Sequence, residues 1–177
     1  MNQAFIEHVD SLSEQKVELC YHCHKCTAGC PVADEMEYGP DYLLQLIQFG
    51  EMESVLTSGD IWLCASCETC GTRCPNEINI AEVMDALRIM SVRGGYKNPE
   101  TASPIFHSLF LSMVNLFGRL HEISLLMLLK FKTMNLLADM DSGMLMFIKG
   151  KVPIIPHRVK GIKEVQRIIK ETEERRR

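Results

Sequence analysis

Cys64-Ala65-Ser66-Cys67-Glu68-Thr69-Cys70-Gly71-Thr72-Arg73-Cys74-Pro75 decides the reading of this 177-residue chain, because it repeats an earlier stretch, Cys20-Tyr21-His22-Cys23-His24-Lys25-Cys26-Thr27-Ala28-Gly29-Cys30-Pro31. One constant offset pairs Cys20 with Cys64, Cys23 with Cys67, Cys26 with Cys70, Cys30 with Cys74 and Pro31 with Pro75, and the two halves use all 8 cysteines. Each half reads C-x-x-C-x-x-C-x-x-x-C-P, the run in which three closely spaced thiolates wrap three corners of a 4Fe-4S cube. The fourth cysteine follows a longer spacer and precedes a proline, whose fixed φ and missing N–H turn the chain away. Geometry and repeat therefore predict crossed ligation. One cluster is expected on Cys20, Cys23, Cys26 and Cys74, and the other on Cys64, Cys67, Cys70 and Cys30.

Two other uses of eight cysteines compete with this one. A disulfide framework belongs to an oxidising compartment, whereas the start Met1-Asn2-Gln3-Ala4-Phe5 lacks the basic beginning and apolar core of a secretory signal. A reducing, cytoplasmic setting is expected. Structural zinc takes cysteines as separated pairs, not as three-cysteine clusters followed by proline.

The chain has the length of one ordinary domain, or of a small cluster domain with an extension. It contains neither G-x-G-x-x-G nor G-x-x-x-x-G-K-[ST], so flavin or nucleotide chemistry is expected in a partner. The net charge of −4 combines an acidic body with a basic segment from 149 to 177. Acids interspersed with the bases of that segment mark a solvated helix face in preference to a nucleic-acid or membrane surface.

Taken in order, Phe5, Ile6, Val9 and Leu12 have helical spacing and lead into the first run. His22 and His24 stand between ligands, where an imidazole N–H can bond a cluster sulfur and move its potential, or simply face solvent. Pro40 and Gly50 bracket a helix, and a second short one spans Glu51 to Leu56. The connection between the runs is thus helical, unlike the strands of a small βαβ-type ferredoxin. Trp62 precedes Cys64 and can cover the second cluster or belong to an ordinary core. Asn79 with Glu82 reads as a capping box for a helix whose buried face is Ile80, Val83, Met84, Leu87 and Met90, ending at Gly94-Gly95.

From Pro104 the composition becomes apolar, and residues 101–118 carry no Lys, Arg, Asp or Glu. That run nears the length of a membrane span. Its Ser, Thr, Asn, His and Pro content, with Glu122, Lys130 and Lys132 beyond, predicts instead helices packed on a domain or a partner. Met144-Leu145-Met146-Phe147-Ile148 is an apolar patch suited to core filling or an adaptable interface. Val152-Pro153-Ile154-Ile155-Pro156 reads as extended. Ile162, Val165, Ile168 and Ile169 form one stripe of a terminal helix, closed by Arg175-Arg176-Arg177.

The fold class expected is all-α: an α-helical ferredoxin-like domain binding two 4Fe-4S clusters over residues 1–98, then a helical, Met-rich extension over 99–177 for partner docking. With the cysteine runs, Ile61-Trp62-Leu63-Cys64, Ile78-Asn79-Ile80 and Gly161-Ile162-Lys163-Glu164-Val165 together, the chain resembles the C-type iron–sulfur subunit of heterodisulfide reductase along nearly its full length. The cysteine runs alone are shared with iron–sulfur subunits of succinate dehydrogenase, fumarate reductase, glycolate oxidase and anaerobic glycerol-3-phosphate dehydrogenase.

The resemblance implies a non-catalytic relay, carrying electrons from a flavin-containing, iron–sulfur A-type partner of a heterodisulfide reductase-like complex to a catalytic B-type partner with CCG motifs. This chain has no adjacent cysteine pair and no unused cysteine, so the catalytic module is not expected in it. No catalytic residue, small-molecule substrate, nucleic acid or transmembrane span of its own is expected. Contact with a membrane would come through partners. The rival readings are a relay subunit of a flavin dehydrogenase feeding quinone, and a zinc-stabilised interaction module.

Overall fold

The computed structural model describes residues 2–97, 102–133, 149 and 159–175, and among them every regular element is helical. The chain divides into two compact units, Met1–Glu100 and Thr101–Arg177.

In the first unit α1 spans Gln3–Ser13. It starts where the Asn2 side chain accepts the Phe5 N–H at 3.2 Å, and buries Phe5, Ile6 and Val9, the face that the spacing predicts. Helix α2, Gly39–Phe49, carries Pro40 in its first turn and stops at Gly50, whose φ of 76° suits glycine because no Cβ opposes it. Two short helices follow, α3 at Met52–Thr57 and α4 at Asp60–Leu63, the latter delivering the chain to Cys64. Helix α5, Thr69–Arg73, lies within the second run, and α6, Ile80–Gly94, follows it.

The cap of α6 departs from the expected reciprocal box. Asn79 does accept the Ala81 N–H at 3.2 Å, but its own N–H donates to Gln15 Oε1 at 2.9 Å. Gln15 Nε2 meanwhile donates to Glu82 at 2.6 Å. One amide just past α1 has both a donor and an acceptor, so it takes the place of the short-range bond and ties α1 to α6.

Phe5, Ile6, Val9, Leu43, Leu44, Ile47, Leu56, Ile61, Ile80, Met84 and Leu87 form the centre of one apolar core. Burying each such Leu or Ile contributes roughly 1.5–3 kcal/mol. Cys26 is inside this core, and Cys20, Cys64, Cys70 and Cys74 pack against it. The core is the wall on which both cysteine runs are mounted.

In the second unit α7 spans Ala102–Phe117, α8 Glu122–Thr133 and α9 Ile162–Arg175. Pro104 sits in the first turn of α7, where its missing N–H has no partner to lose. Helices α7 and α8 meet through Leu109, Met113 and Leu125. The segment entering α9 is tied to α7 by Val159 N–H donating to Phe117 O at 3.1 Å, and Gln166 donates to Asn115 O at 2.9 Å. On α9 the expected stripe is narrower than its spacing suggests: Ile162, Val165 and Ile169 are half-buried while Ile168 is exposed. Among the described residues no helix is long and apolar enough to cross a membrane. The Met144–Ile148 patch, the Val152–Pro156 segment and the closing Arg176-Arg177 lie outside the described residues.

Candidate two-cluster site

The sequence repeat is also a repeat of conformation. Cys20 and Cys64 adopt φ, ψ of −70°, 123° and −57°, 119°, and Cys30 and Cys74 adopt −78°, 123° and −73°, 120°. Between them His22 (φ 56°) matches Ser66 (φ 49°), and His24 (φ 59°) matches Glu68 (φ 59°). Corresponding backbone bonds recur: Ala28 N–H to His24 O at 3.0 Å with Thr72 N–H to Glu68 O at 3.2 Å, and Cys30 to Thr27 with Cys74 to Gly71, both at 3.1 Å.

Left-handed residues beside right-handed ones turn successive N–H groups toward one concavity, the nest found at many iron–sulfur and phosphate sites. A non-glycine residue held there costs on the order of 1–3 kcal/mol and persists where its surroundings over-determine it. Four such residues stand at matched positions inside the two cysteine runs, the backbone state from which such a cradle is built.

Cys64, Cys67, Cys70 and, from the first run, Cys30 line one cavity of about 370 Å³ counted to its open mouth. Val32, Pro40, Ile80 and Met84 supply apolar wall. Burial pushes the Cys70 thiol up, against the Gly71 N–H that stabilises its thiolate. Cys67 is exposed and goes the other way: its Sγ lies 3.4 Å from Thr69 Oγ1, and donors from the Thr69 side chain and backbone hold it below the usual thiol range.

The first run is more enclosed. Burial pushes the Cys26 thiol up to about 11, with the Thr27 N–H acting against it. Burial also raises Cys20, the His22 N–H draws it partly back, and the neighbouring charges of Cys74, Cys23 and Asp41 raise it again. Cys74, from the second run, is thus an electrostatic neighbour of Cys20. Tyr21 has its ionisation raised by desolvation and then by Cys23, Cys74 and Cys20. The halves touch at Gly29 and Arg73, positions that the repeat pairs; a Cβ on Gly29 would lie 2.5 Å from Arg73 Nη1.

Neither histidine is idle. His22 Nε2 lies 2.8 Å from Gln48 Oε1, and its Nδ1 lies 3.9 Å from Cys20 Sγ. His24 Nδ1 is 2.5 Å from Asp41 Oδ2, while Thr27 donates its hydroxyl to the same carboxylate. Trp62 packs against the unit's core and is not among the residues lining the Cys64 cavity, so the ordinary core reading describes it.

The spacing of cysteines gives no hint of Asp41, Gln48, Arg73 or Arg88, which come from helices outside or at the end of the runs. Gln45 and Gln48 both interrupt the apolar stretch of that helix, and nothing in the sequence singles out Gln48 as the one that reaches the first run.

Among the described residues no three Cys, His, Asp or Glu side chains close on one point, as a single tetrahedral zinc with bonds of about 2.3 Å to sulfur requires. Cys30, Cys64, Cys67 and Cys70 instead line a cavity, all eight cysteines are free thiols, and left-handed residues stand at matched positions within both runs. Donor set, cavity and cradle fit iron–sulfur cubes.

Residues 19–79 match the family described as 4Fe-4S dicluster domain. The chain is 30% identical over 104 residues to the C-type iron–sulfur subunit of the CoB–CoM heterodisulfide reductase of Methanopyrus kandleri, covering 54% of this chain and 54% of that protein. It is 35% identical over 81 residues to copy 2 of the C-type iron–sulfur subunit of that reductase in Methanocaldococcus jannaschii, covering 46% and 43%. To the C-type subunit of the ferredoxin:CoB–CoM heterodisulfide reductase of Methanosarcina mazei it is 33% identical over 81 residues, covering 46% and 50%. The matched stretch spans about half of this chain and about half the length of these curated relatives, less than the nearly full-length likeness expected from the sequence. The cofactors of this site are two 4Fe-4S clusters, residues 19–79 match the 4Fe-4S dicluster family, and the chain that carries them is similar to the C-type iron–sulfur subunits of heterodisulfide reductases.

Proposed function

We propose that this chain is the electron-relay subunit of a heterodisulfide reductase-like complex, receiving electrons from a flavin-bearing A-type partner and passing them to a catalytic B-type partner with CCG motifs. The carrying observation is where the two fourth cysteines stand: Cys30 lines the cavity of Cys64, Cys67 and Cys70, and Cys74 is near enough to Cys20 and Tyr21 to raise their ionisation. This supports Cys20, Cys23, Cys26 and Cys74 as one ligand set and Cys64, Cys67, Cys70 and Cys30 as the other. Two 4Fe-4S clusters, when bound, supply reversible one-electron storage.

What the chain's own residues do is hold and insulate. Crossing makes each run complete the other's site, so the two sites are kept close by the same few residues that bind them. Ile80, Met84, Pro40 and Val32 exclude water from the second site, and the core around Cys26 does so for the first. N–H groups of His22, Thr27, Thr69 and Gly71 donate to cysteine sulfurs, which lowers the energy of negative charge there. No acid, base or nucleophile is required for such a role, and the similar proteins named above support the assembly.

The test is anaerobic purification of the loaded chain with and without its complex. Alone, it should take and give electrons with artificial dyes and reduce no disulfide. With co-purified flavin-bearing and CCG-rich partners, disulfide reduction should appear. Disulfide reduction by the chain alone at the rate of the complex would overturn the relay reading, and co-purification with a membrane cytochrome would favour the quinone-linked alternative.

A further inference from the structure

Each cysteine run is clamped by one long polar side chain from a neighbouring helix, and the two clamps make corresponding bonds. Gln48 of α2 donates from Nε2 to Val17 O and Cys20 O, both at 3.0 Å, and its Oε1 faces His22 Nε2 at 2.8 Å. Arg88 of α6 donates from Nε to Ile61 O at 2.5 Å, from a terminal nitrogen to Cys64 O, and from Nη1 to Ser66 Oγ at 3.2 Å. Val17 and Ile61, Cys20 and Cys64, and His22 and Ser66 are pairs under the repeat's offset. Gln48 and Arg88 are not so paired. The same three contacts are therefore made in both halves by unrelated positions, one with a neutral amide and one with a permanent cation.

We propose that Arg88, set against its neutral counterpart Gln48, holds the reduction potential of the cluster on the second run above that of the cluster on the first. The inference rests on the ligand sets proposed above. A cluster that gains an electron becomes more negative, and a fixed positive charge beside its first cysteine stabilises that state. Solvent does little to screen this charge, since the Arg88 side chain is 15% exposed.

The first run has the opposite kind of neighbour. Asp41, 11% exposed, holds its carboxylate on His24 and Thr27 within the first run, and its charge, which raises Cys20 and Cys26, opposes further negative charge there. Other charges act against the ordering, namely Lys25 beside the first run and Glu68 beside the second, but both are exposed and screened. The buried carboxylate of Asp60 is met by the Glu37 and Tyr38 N–H groups at 2.9 and 2.7 Å. The ordering gives the relay a direction, from the side of the first run toward the second. Arg88 is not a ligand; it acts on the second-run site through its charge, which its bonds to Ile61 O, Cys64 O and Ser66 hold in place.

The test is a redox titration of the anaerobically loaded full chain, followed by electron paramagnetic resonance. The second-run signal is identified as the one that Cys67→Ser alters. Arg88→Gln, which installs the other half's clamp, should lower the second-run potential and leave the first in place. Arg88→Lys keeps the charge and should stay near the parent value, whereas a purely steric role would make Lys as damaging as Gln. Asp85→Asn removes the exposed carboxylate 2.8 Å from Arg88 Nη1 and should raise the second-run potential. Iron and sulfide content, measured on each variant, tests cluster loading separately. If Arg88→Gln fails to load, the sign of the Asp85→Asn shift decides. Unmoved potentials in the loaded variants, or equal movement of both signals, would overturn the proposal.

Discussion

Cys74 is the residue on which the proposed ligand assignment turns, because it belongs to the second run by sequence and yet raises the ionisation of Cys20 of the first. Its extended φ, ψ of −73°, 120°, held by the N–H bond to Gly71 O, lead the chain out of α5 and into Pro75. Replacing Cys74 with serine should therefore change the resonance of the cluster held by Cys20, Cys23 and Cys26. The signal held by Cys64, Cys67 and Cys70 should persist. The opposite pattern would mean that each run ligates its own cube. The eight cysteines and their pairing by offset were legible from spacing. The left-handed state of His22, His24, Ser66 and Glu68 was not, since none is glycine and such residues are rarely found there.

At the scale of the element, α2 shows how one helix serves both core and site. Its apolar residues face inward at Leu43, Leu44 and Ile47, Phe49 faces solvent, and Gln48 turns toward the first run. Ile47→Ala should lower unfolding stability by about 2–5 kcal/mol, the cost of a cavity in a closed core. Phe49→Ala should stay within about 0.5 kcal/mol, as surface changes do. Anaerobic urea unfolding of the loaded chain followed by far-UV circular dichroism measures both, and equal losses would contradict the burial pattern. Helical spacing was enough to find α1 and α6 and their buried faces, and Pro40 with Gly50 bracketed α2. The capping of α6 was read only in part, because Gln15 is distant in sequence and no local rule points to it.

Across the whole first unit, the runs are mounted on a core that α1, α2, α3 and α6 build from aliphatic side chains. Crossed ligation would make cluster binding a fold-determining contact for the runs and a lesser one for that core. Stripping the iron with acid and chelator should therefore lower the urea midpoint. Amide exchange should become fast in residues 20–31 and 64–75, while amides beside Val9 and Leu87 stay protected. Equally fast exchange in α1 and α6 would show that the core does not stand without its clusters.

The identity of the cofactor and the helical frame were determined by the sequence itself, because thiolate spacing is a local requirement of the cube and apolar periodicity is a local requirement of a packed helix. The likeness to the C-type iron–sulfur subunits of heterodisulfide reductases was legible too, from both cysteine runs, the flanks of the second and the 161–165 segment together, although the matched stretch covers only about half of the chain. Which side chains surround those thiolates was decided only by tertiary structure. Asp41, Gln48 and Arg88 reach the runs from elements far along the chain, and Gly29 meets Arg73 only because the halves are packed together. Charge near a redox centre acts through space, so the residues that order the two potentials are set by folding and not by spacing in sequence.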